Sequence, residues 1–272
     1  MLNRNLKKAL LFLMFSLLFS GLVLLVTDYL ELNSPGASGY YFVVAAYFLG
    51  SLLSAFLVEK LMSIENPLKT LNINLKFNLW ALFAFLVPFF IFPLTLVLGL
   101  LLPETSFAAA RFNILDIIKG VFVGGTLIAV IASLAVCGFV GFLFKELAYL
   151  GFWRASYITG VCAALWLFPL IFMTNLYDRN YSLPGLSLYL LFVVAVFPAL
   201  TFIKTKTKNI FVPAVLAGIL FGTASFPGGL IFGGNVFLLG FNGLAGIVAA
   251  SILAALIYIY NRYLTEINNR IF

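Results

Sequence analysis

The chain has 272 residues, of which 64% are hydrophobic and only 9% are charged. A soluble domain carries about 25% charged residues, so a chain this apolar cannot cover its surface with polar groups, and its solvent must be lipid. The formal charge of +7 would also suit a nucleic-acid-binding protein. In a membrane protein, however, basic residues on cytoplasmic loops account for such a charge, so no nucleic-acid partner is predicted.

Eight apolar segments are long enough, or nearly so, to cross a membrane, because a helix needs about 20 apolar residues to span the hydrocarbon core. No loop between them is long enough to form a separate domain. In chain order they lie at about 9–27, 40–58, 79–102, 120–144, 152–174, 184–203, 210–226 and 235–260. The sequence therefore predicts an all-α polytopic membrane bundle of eight transmembrane helices, with residues 1–272 forming a single integral membrane domain.

The basic residues predict the orientation of this bundle. Span 1 is expected to be retained rather than cleaved as a signal peptide, because its apolar run is long and no small-residue cleavage site follows it. With the N-terminus in the cytoplasm, all but three of the 16 basic residues fall on the cytoplasmic side. The three outside are Arg111, Lys119 and Arg179. The positive-inside rule thus predicts that both termini are cytoplasmic.

Several local patterns carry further expectations. The linkers at 59–78 and 103–119 are each long enough for a short interfacial helix. Gly218 and Gly222 form a GxxxG pair, which predicts close helix packing. Phe-Pro-Gly-Gly at 226–229 predicts a turn between spans 7 and 8. Asn235 and Asn242 are seven residues apart on predicted span 8, so they would share a helix face, either to bind a substrate or to hydrogen-bond a neighbouring helix.

The sequence predicts neither a cofactor nor a metal site. It contains no histidine, and its two cysteines, Cys137 and Cys162, lie inside apolar spans as small hydrophobic residues. Without a Cys-x-x-Cys or a Cys/His set, neither a disulfide framework nor a thiolate zinc site is indicated.

Glu146 is the principal candidate site residue, because it stands at the junction of spans 4 and 5. A carboxylate beside membrane spans is costly, and it marks a functional site by default. If the stretch is helical, Arg154 lies on the same face about 12 Å along the axis. Glu146 is expected to turn into the bundle toward water or a basic partner, with Arg154 the nearest candidate, while Lys145 extends toward lipid headgroups. The alternative is an interfacial Lys-Glu pair that marks a helix end.

Four stretches together resemble the CPBP intramembrane proteases, which comprise the type II CAAX prenyl endopeptidases and bacteriocin-processing relatives. Lys-Glu-Leu-Ala-Tyr-Leu-Gly at 145–151 is similar to the family's Glu-Glu-Leu-Gly-Trp-Arg-Gly. Residues 159–169 resemble the helix that ends Leu-Trp-His-Leu-Pro, and residues 214–221 resemble Ala-Ile-Leu-x-His-x-x-x-Asn. The glycine-rich segment 239–246 is also similar, and the resemblance covers about 115–262.

The resemblance implies an eight-span fold with a site toward the cytoplasm, but most catalytic positions of the family are replaced. Lys145 stands where the family has Glu, and Leu150 stands where it has Arg. Leu167 and Ala217 stand where it has His, and Phe221 stands where it has Asn. Glu146 is retained, and Arg154 is a second candidate, both as vestigial catalytic residues. One carboxylate without an imidazole supplies no metal set for activating water. The combination therefore implies a degenerate member whose proteolytic activity has been lost.

Three hypotheses on function follow. The first is a non-catalytic CPBP-like protein, a pseudoprotease, that contacts membrane lipid and binds a hydrophobic peptide, a lipid or a partner membrane helix. The second is an active CAAX-type endopeptidase that uses Glu146 as base and Arg154 as electrostatic helper. The third is a small-molecule transporter or channel subunit of unrelated fold, which would require a continuous polar path.

Overall fold

A computed structural model describes residues 3–32, 39–62, 78–174, 183–235 and 237–263 of the chain. Within these residues lie eight helices that are long and apolar enough to cross a membrane, which confirms the predicted all-α polytopic bundle. Numbered in chain order, spans 1 to 3 are Arg4–Tyr29, Tyr40–Met62 and Ala81–Leu100. Span 4 is Ile114–Leu150. Spans 5, 6 and 8 are Phe152–Thr174, Leu183–Thr207 and Leu244–Tyr263. Span 7 is Phe211–Gly229, of which Phe211–Gly222 is one continuous α-helix.

The spans alternate in direction, which gives the bundle two distinct ends. The Arg4 side chain donates to the carbonyl of Met62, so the start of span 1 lies beside the end of span 2. The Asn78 side chain donates to the carbonyl of Lys206 at 3.0 Å, which joins the start of span 3 to the end of span 6. We call this the charged end. The opposite end, where spans 3 and 7 finish, carries a two-stranded antiparallel β-sheet and is called the sheet end.

The sheet pairs strand β1 (Thr105–Phe107) with strand β2 (Ile231–Gly233) in antiparallel register. Strand β1 and one 3₁₀ turn, Ala109–Arg111, occupy the first part of the linker at 103–119, and its last part, from Ile114, is helical and begins span 4. Gly233 has φ +77°, and a Cβ there would overlap the carbonyl of Glu104, so only glycine fits. In the other linker, residues 63–77 lie outside the described residues.

Span 4 is longer and less regular than predicted. It contains two π-helical stretches, Gly124–Ile128 and Cys137–Leu143, and it ends in a 3₁₀ turn at Ala148–Leu150. Gly151, with φ +84°, then reverses the chain into span 5. The helix continues through Lys145 and Glu146, beyond the predicted end of the span at about residue 144, so both charged side chains are held on the framework of the bundle.

Span 8 begins at Leu244, about nine residues later than predicted. The preceding segment is not helical, because Gly234 and Gly240 adopt positive φ values of 72° and 76°. The Asn235 side chain accepts from the backbone N–H of Phe237 at 2.9 Å in a local turn. The prediction that Asn235 and Asn242 share a helix face is therefore wrong. The predicted turn at Phe226–Gly229 forms a single short helical turn.

Spans 4 and 7 cross at very close range through glycines on both helices. A Cβ on Gly218 would overlap the carbonyl of Gly124, and a Cβ on Gly222 would lie 2.5 Å from the carbonyl of Gly120. The predicted close packing of the Gly218–Gly222 pair is confirmed, and its counterpart is a second GxxxG pair, Gly120–Gly124. This crossing places span 7 against the middle of the bundle.

The outer surface of the bundle is apolar. Large side chains such as Leu18, Phe122, Val130 and Leu165 are exposed on the spans. Lipid is the solvent that accommodates such a surface, so the chain is a multi-pass integral membrane protein whose helices contact lipid.

Candidate functional site

Four charged side chains from three spans meet at the charged end of the bundle. We call Lys8, Glu59, Lys145 and Glu146 the charged cluster. The Lys8 ammonium lies 3.1 Å from Glu59 Oε2 and 3.6 Å from Glu146 Oε1, so it bridges the two carboxylates. Lys145 Nζ lies 3.5 Å from the other oxygen of Glu59. The cluster thus ties span 1 to spans 2 and 4.

The charged cluster is largely shielded from solvent. The side chain of Glu59 is 0% exposed, those of Glu146 and Lys8 are 5% and 10% exposed, and that of Lys145 is 37% exposed. Charges removed from water to this degree persist only when they are paired, because the desolvation penalty is several kcal/mol per ion. Lys145 is therefore the most accessible side chain of the charged cluster.

Glu146 has a basic partner, as expected, but the partner is not the predicted one. Glu146 is buried and pairs with Lys8 of span 1, whereas Arg154 is exposed on span 5. The reason is that Gly151 turns the chain between the two residues, so they do not share a continuous helix face. The Lys145 ammonium lies 3.5 Å from Glu59 while its side chain is 37% exposed, so the expectation that Lys145 extends toward headgroups stays a prediction.

Sequence reasoning missed two of the four cluster residues. Lys8 was interpreted only as an orientation signal, and Glu59 was not considered. A signal for both residues was present in the sequence. Lys8 is followed by the apolar residues of span 1, and Glu59 is preceded by those of span 2. A charge within a span requires a partner. Their pairing across 51 residues of sequence was not evident from either local pattern.

A second feature is an apolar cavity of about 200 Å³ between spans 2, 4, 5, 6 and 7. Its wall contains Leu167, Ala217 and Phe221, three positions at which the CPBP resemblance predicts a catalytic residue, together with Asn242. Leu150 and Lys145 do not belong to this wall. The cavity runs from the middle of the bundle toward the sheet end, where Tyr41 and Asn242 are located.

The cavity and the charged cluster are separate. Along span 4 the last wall residue, Val140, precedes Glu146 by six residues, or about 9 Å at 1.5 Å per residue. Among the side chains described around the cavity, none carries a carboxylate, an ammonium or a guanidinium group. Glu146 therefore lies outside the space that Leu167, Ala217 and Phe221 enclose.

A buried polar network connects the cavity wall to span 1. Trp166 Nε1 donates to Ser20 Oγ at 3.0 Å, Ser20 Oγ donates to the carbonyl of Tyr47 at 3.1 Å, and the Tyr47 hydroxyl donates to the carbonyl of Trp166. All three side chains are buried. Because these three hydrogen bonds close a ring among buried side chains, the network holds Trp166 in place in the cavity wall.

The described residues contain no group of three or more His, Cys, Asp or Glu side chains placed to hold a metal ion. Neither a scan of protein-family models nor a search of curated proteins finds a match to this chain. The site is therefore interpreted from its own geometry.

Proposed function

We propose that this chain is a non-catalytic, CPBP-like membrane protein that holds one hydrocarbon chain of a lipid or prenylated ligand in the apolar cavity. The observation that carries the proposal is the content of the cavity wall. Leu167, Ala217 and Phe221 stand where the resemblance implies two histidines and an asparagine, and all three line one cavity. The three positions thus surround a cavity, as a site would require, but their side chains are apolar.

The arrangement disfavours the alternative of peptide hydrolysis. Hydrolysis requires a base or metal that activates water and donors that stabilise the oxyanion. Glu146 lies outside the cavity with its carboxylate 3.6 Å from the Lys8 ammonium, and Arg154 is exposed elsewhere. The carboxylate of Glu146 would have to leave the Lys8 ammonium before it could act on a peptide in the cavity.

The size of the cavity distinguishes between the classes of hydrophobic ligand. An apolar cavity of about 150 Å³ accommodates benzene, so the 200 Å³ found here suits part of one acyl or isoprenoid chain. A helix is about 10–12 Å across with its side chains, which is too wide for this space. The Asn242 amide and the Tyr41 hydroxyl at the sheet end offer polar contacts for the head of such a ligand.

The proposed orientation places both termini and the charged end in the cytoplasm, because the basic residues concentrate there. The cavity then extends toward the external leaflet. This differs from the cytoplasmic site that the resemblance implies, and it favours a ligand that enters from the bilayer or the external side.

Binding of a dansyl-labelled fatty acid to the purified protein in micelles tests the proposal, with energy transfer from tryptophan as the signal. Ala132 is a buried wall residue, so Ala132→Phe fills the cavity and should abolish the saturable signal. Val130 lies on the same helix but is 68% exposed to lipid, so Val130→Phe should bind like the wild type and serves as the control. Equal binding by wild type and Ala132→Phe would exclude the cavity as the site.

A parallel assay tests the protease alternative. Prenylated and hydrophobic peptides are incubated with the protein, with and without zinc, and products are followed by mass spectrometry. We expect no turnover. Turnover that disappears in Glu146→Gln would establish the second hypothesis in place of the first.

A further inference from the structure

Lys204 lies on span 6 beside the charged cluster but is not part of its ion pairs. Its ammonium is 5.7 Å from the centroid of the Phe144 ring, and Phe144 directly precedes Lys145. Lys204 is half-buried, and its charge lies within repulsive range of Lys145. Among the residues that the structure describes, no carboxylate lies within 4 Å of the Lys204 ammonium.

The local charges therefore do not balance. The charged cluster contains two ammonium groups and two carboxylates, and Lys204 adds a third positive charge. Glu59 is already shared by Lys8 and Lys145, and Glu146 is engaged by Lys8. An uncompensated charge away from bulk water is costly, so this corner of the bundle favours an additional anion from outside the described residues.

The location indicates which anion this is. Lys145 and Lys204 stand at the ends of spans 4 and 6, where the hydrocarbon gives way to the headgroup layer. The Lys145 side chain is 37% exposed, which leaves a route to its ammonium. We propose that Lys145 and Lys204 together bind the phosphate of an anionic phospholipid headgroup at the charged end.

The neighbouring lysines of the same segment have different surroundings, which makes the proposal specific to Lys204. The Lys206 ammonium is enclosed by the rings of Trp80, Phe202 and Tyr260, with centroids at 5.1, 5.6 and 5.4 Å. This aromatic box already supplies cation–π stabilisation. Lys208 is exposed beyond the end of the helix, so it represents ordinary surface charge.

The test measures lipid retention by native mass spectrometry of the purified protein, titrated with phosphatidylglycerol or phosphatidylcholine in micelles. The wild type should retain phosphatidylglycerol in preference to phosphatidylcholine. Each lysine near a membrane surface contributes about 1 kcal/mol to binding of anionic lipid, so Lys204→Gln should weaken phosphatidylglycerol binding about five-fold. Lys204→Arg, which keeps the charge, should restore most of the binding, and Lys208→Gln is the matched control.

Three results would overturn the proposal. The first is a wild type that retains the two lipids equally, a measurement that needs no variant and so stands even if Lys204→Gln fails to fold. The second is equal loss in Lys204→Gln and Lys208→Gln, which would indicate diffuse surface charge. The third is thermal stabilisation by inorganic phosphate that matches stabilisation by phosphatidylglycerol, which would assign the site to a free anion. The same lipid titration in Ala132→Phe, whose cavity is filled, separates headgroup binding at the charged end from lipid held in the cavity.

Discussion

The Lys8 ammonium holds two buried carboxylates together, so its removal tests whether the charged cluster stabilises the bundle. Lys8→Met preserves most of the side-chain length and removes the charge. Glu59 would keep Lys145 at 3.5 Å. Among the described residues, Glu146 would keep no ammonium within 4 Å. The variant therefore leaves one buried carboxylate without its ion pair.

The expected loss of unfolding free energy follows from the distances of the Lys8 ammonium to Glu59, 3.1 Å, and to Glu146, 3.6 Å. At an effective dielectric constant of about 20, each pair attracts by about 5 kcal/mol before desolvation is subtracted. Removing one member of a buried pair costs about 3–5 kcal/mol, because the remaining charge keeps its desolvation penalty. We expect Lys8→Met to lower the free energy of unfolding by this amount.

Lys7 provides the matched control, because it is the preceding residue of the same helix and is exposed. Lys7→Met should change the free energy of unfolding by less than about 0.5 kcal/mol. Both variants are compared by equilibrium unfolding in mixed micelles, followed by tryptophan fluorescence. Adding Glu146→Gln to Lys8→Met should recover part of the loss, with a coupling of about 0.5–3 kcal/mol. Equal effects of Lys7→Met and Lys8→Met would refute the reasoning.

Three further predictions concern packing, the polar network and orientation. Gly218→Ala should cost about 1–3 kcal/mol of unfolding free energy through overlap with Gly124, whereas Gly21→Ala, where a Cβ meets nothing within 4 Å, should cost nothing. Tyr47→Phe should cost about 0.5–1.5 kcal/mol and shift the fluorescence of Trp166, because it removes the hydroxyl that donates to the Trp166 carbonyl. Reporter fusions should report the external side at Asn33, Ser106 and Tyr181 and the cytoplasmic side at Leu71 and Thr205; a reversal at any of these would contradict the orientation.

The number and order of the spans were predictable because the length of an apolar run is a local property of the sequence. The burial of Glu146 was also predictable, since a carboxylate at a span junction needs either water or a partner. The start of span 8 was not predictable from the sequence. The run from Asn235 is apolar enough to continue a helix, and only the positive φ at Gly240 shows that the chain turns there instead.

The partners in the charged cluster could not be predicted from local patterns. A span was expected to end where charges begin, so span 4 was ended at about residue 144. The helix in fact continues through Lys145 and Glu146, because Glu59 and Lys8 on other spans neutralise them. Arg154 was favoured over Lys8 only because it is near Glu146 in sequence, and the turn at Gly151 makes that proximity irrelevant.

The position of Glu146 separates a structural role from a catalytic one. Residues 115–262 carry the family resemblance, yet the ammonium that engages Glu146 comes from span 1, outside that region. A hydrolytic role would require Lys8 to release the carboxylate, whereas a structural role requires only the observed pair. Glu146→Gln should therefore destabilise the protein, although less than Lys8→Met, because Lys8 keeps Glu59 at 3.1 Å.

The same variant should leave fatty-acid binding unchanged within about two-fold, since Glu146 lies outside the cavity wall, six residues beyond Val140, the last wall residue on span 4. Unfolding and binding are measured on one preparation. Loss of binding without loss of stability would place Glu146 in the ligand site and contradict the separation of cluster and cavity. Loss of stability with intact binding identifies Glu146 as the anchor that fixes span 4 to spans 1 and 2, so that the cavity keeps its shape without a charged residue in its wall.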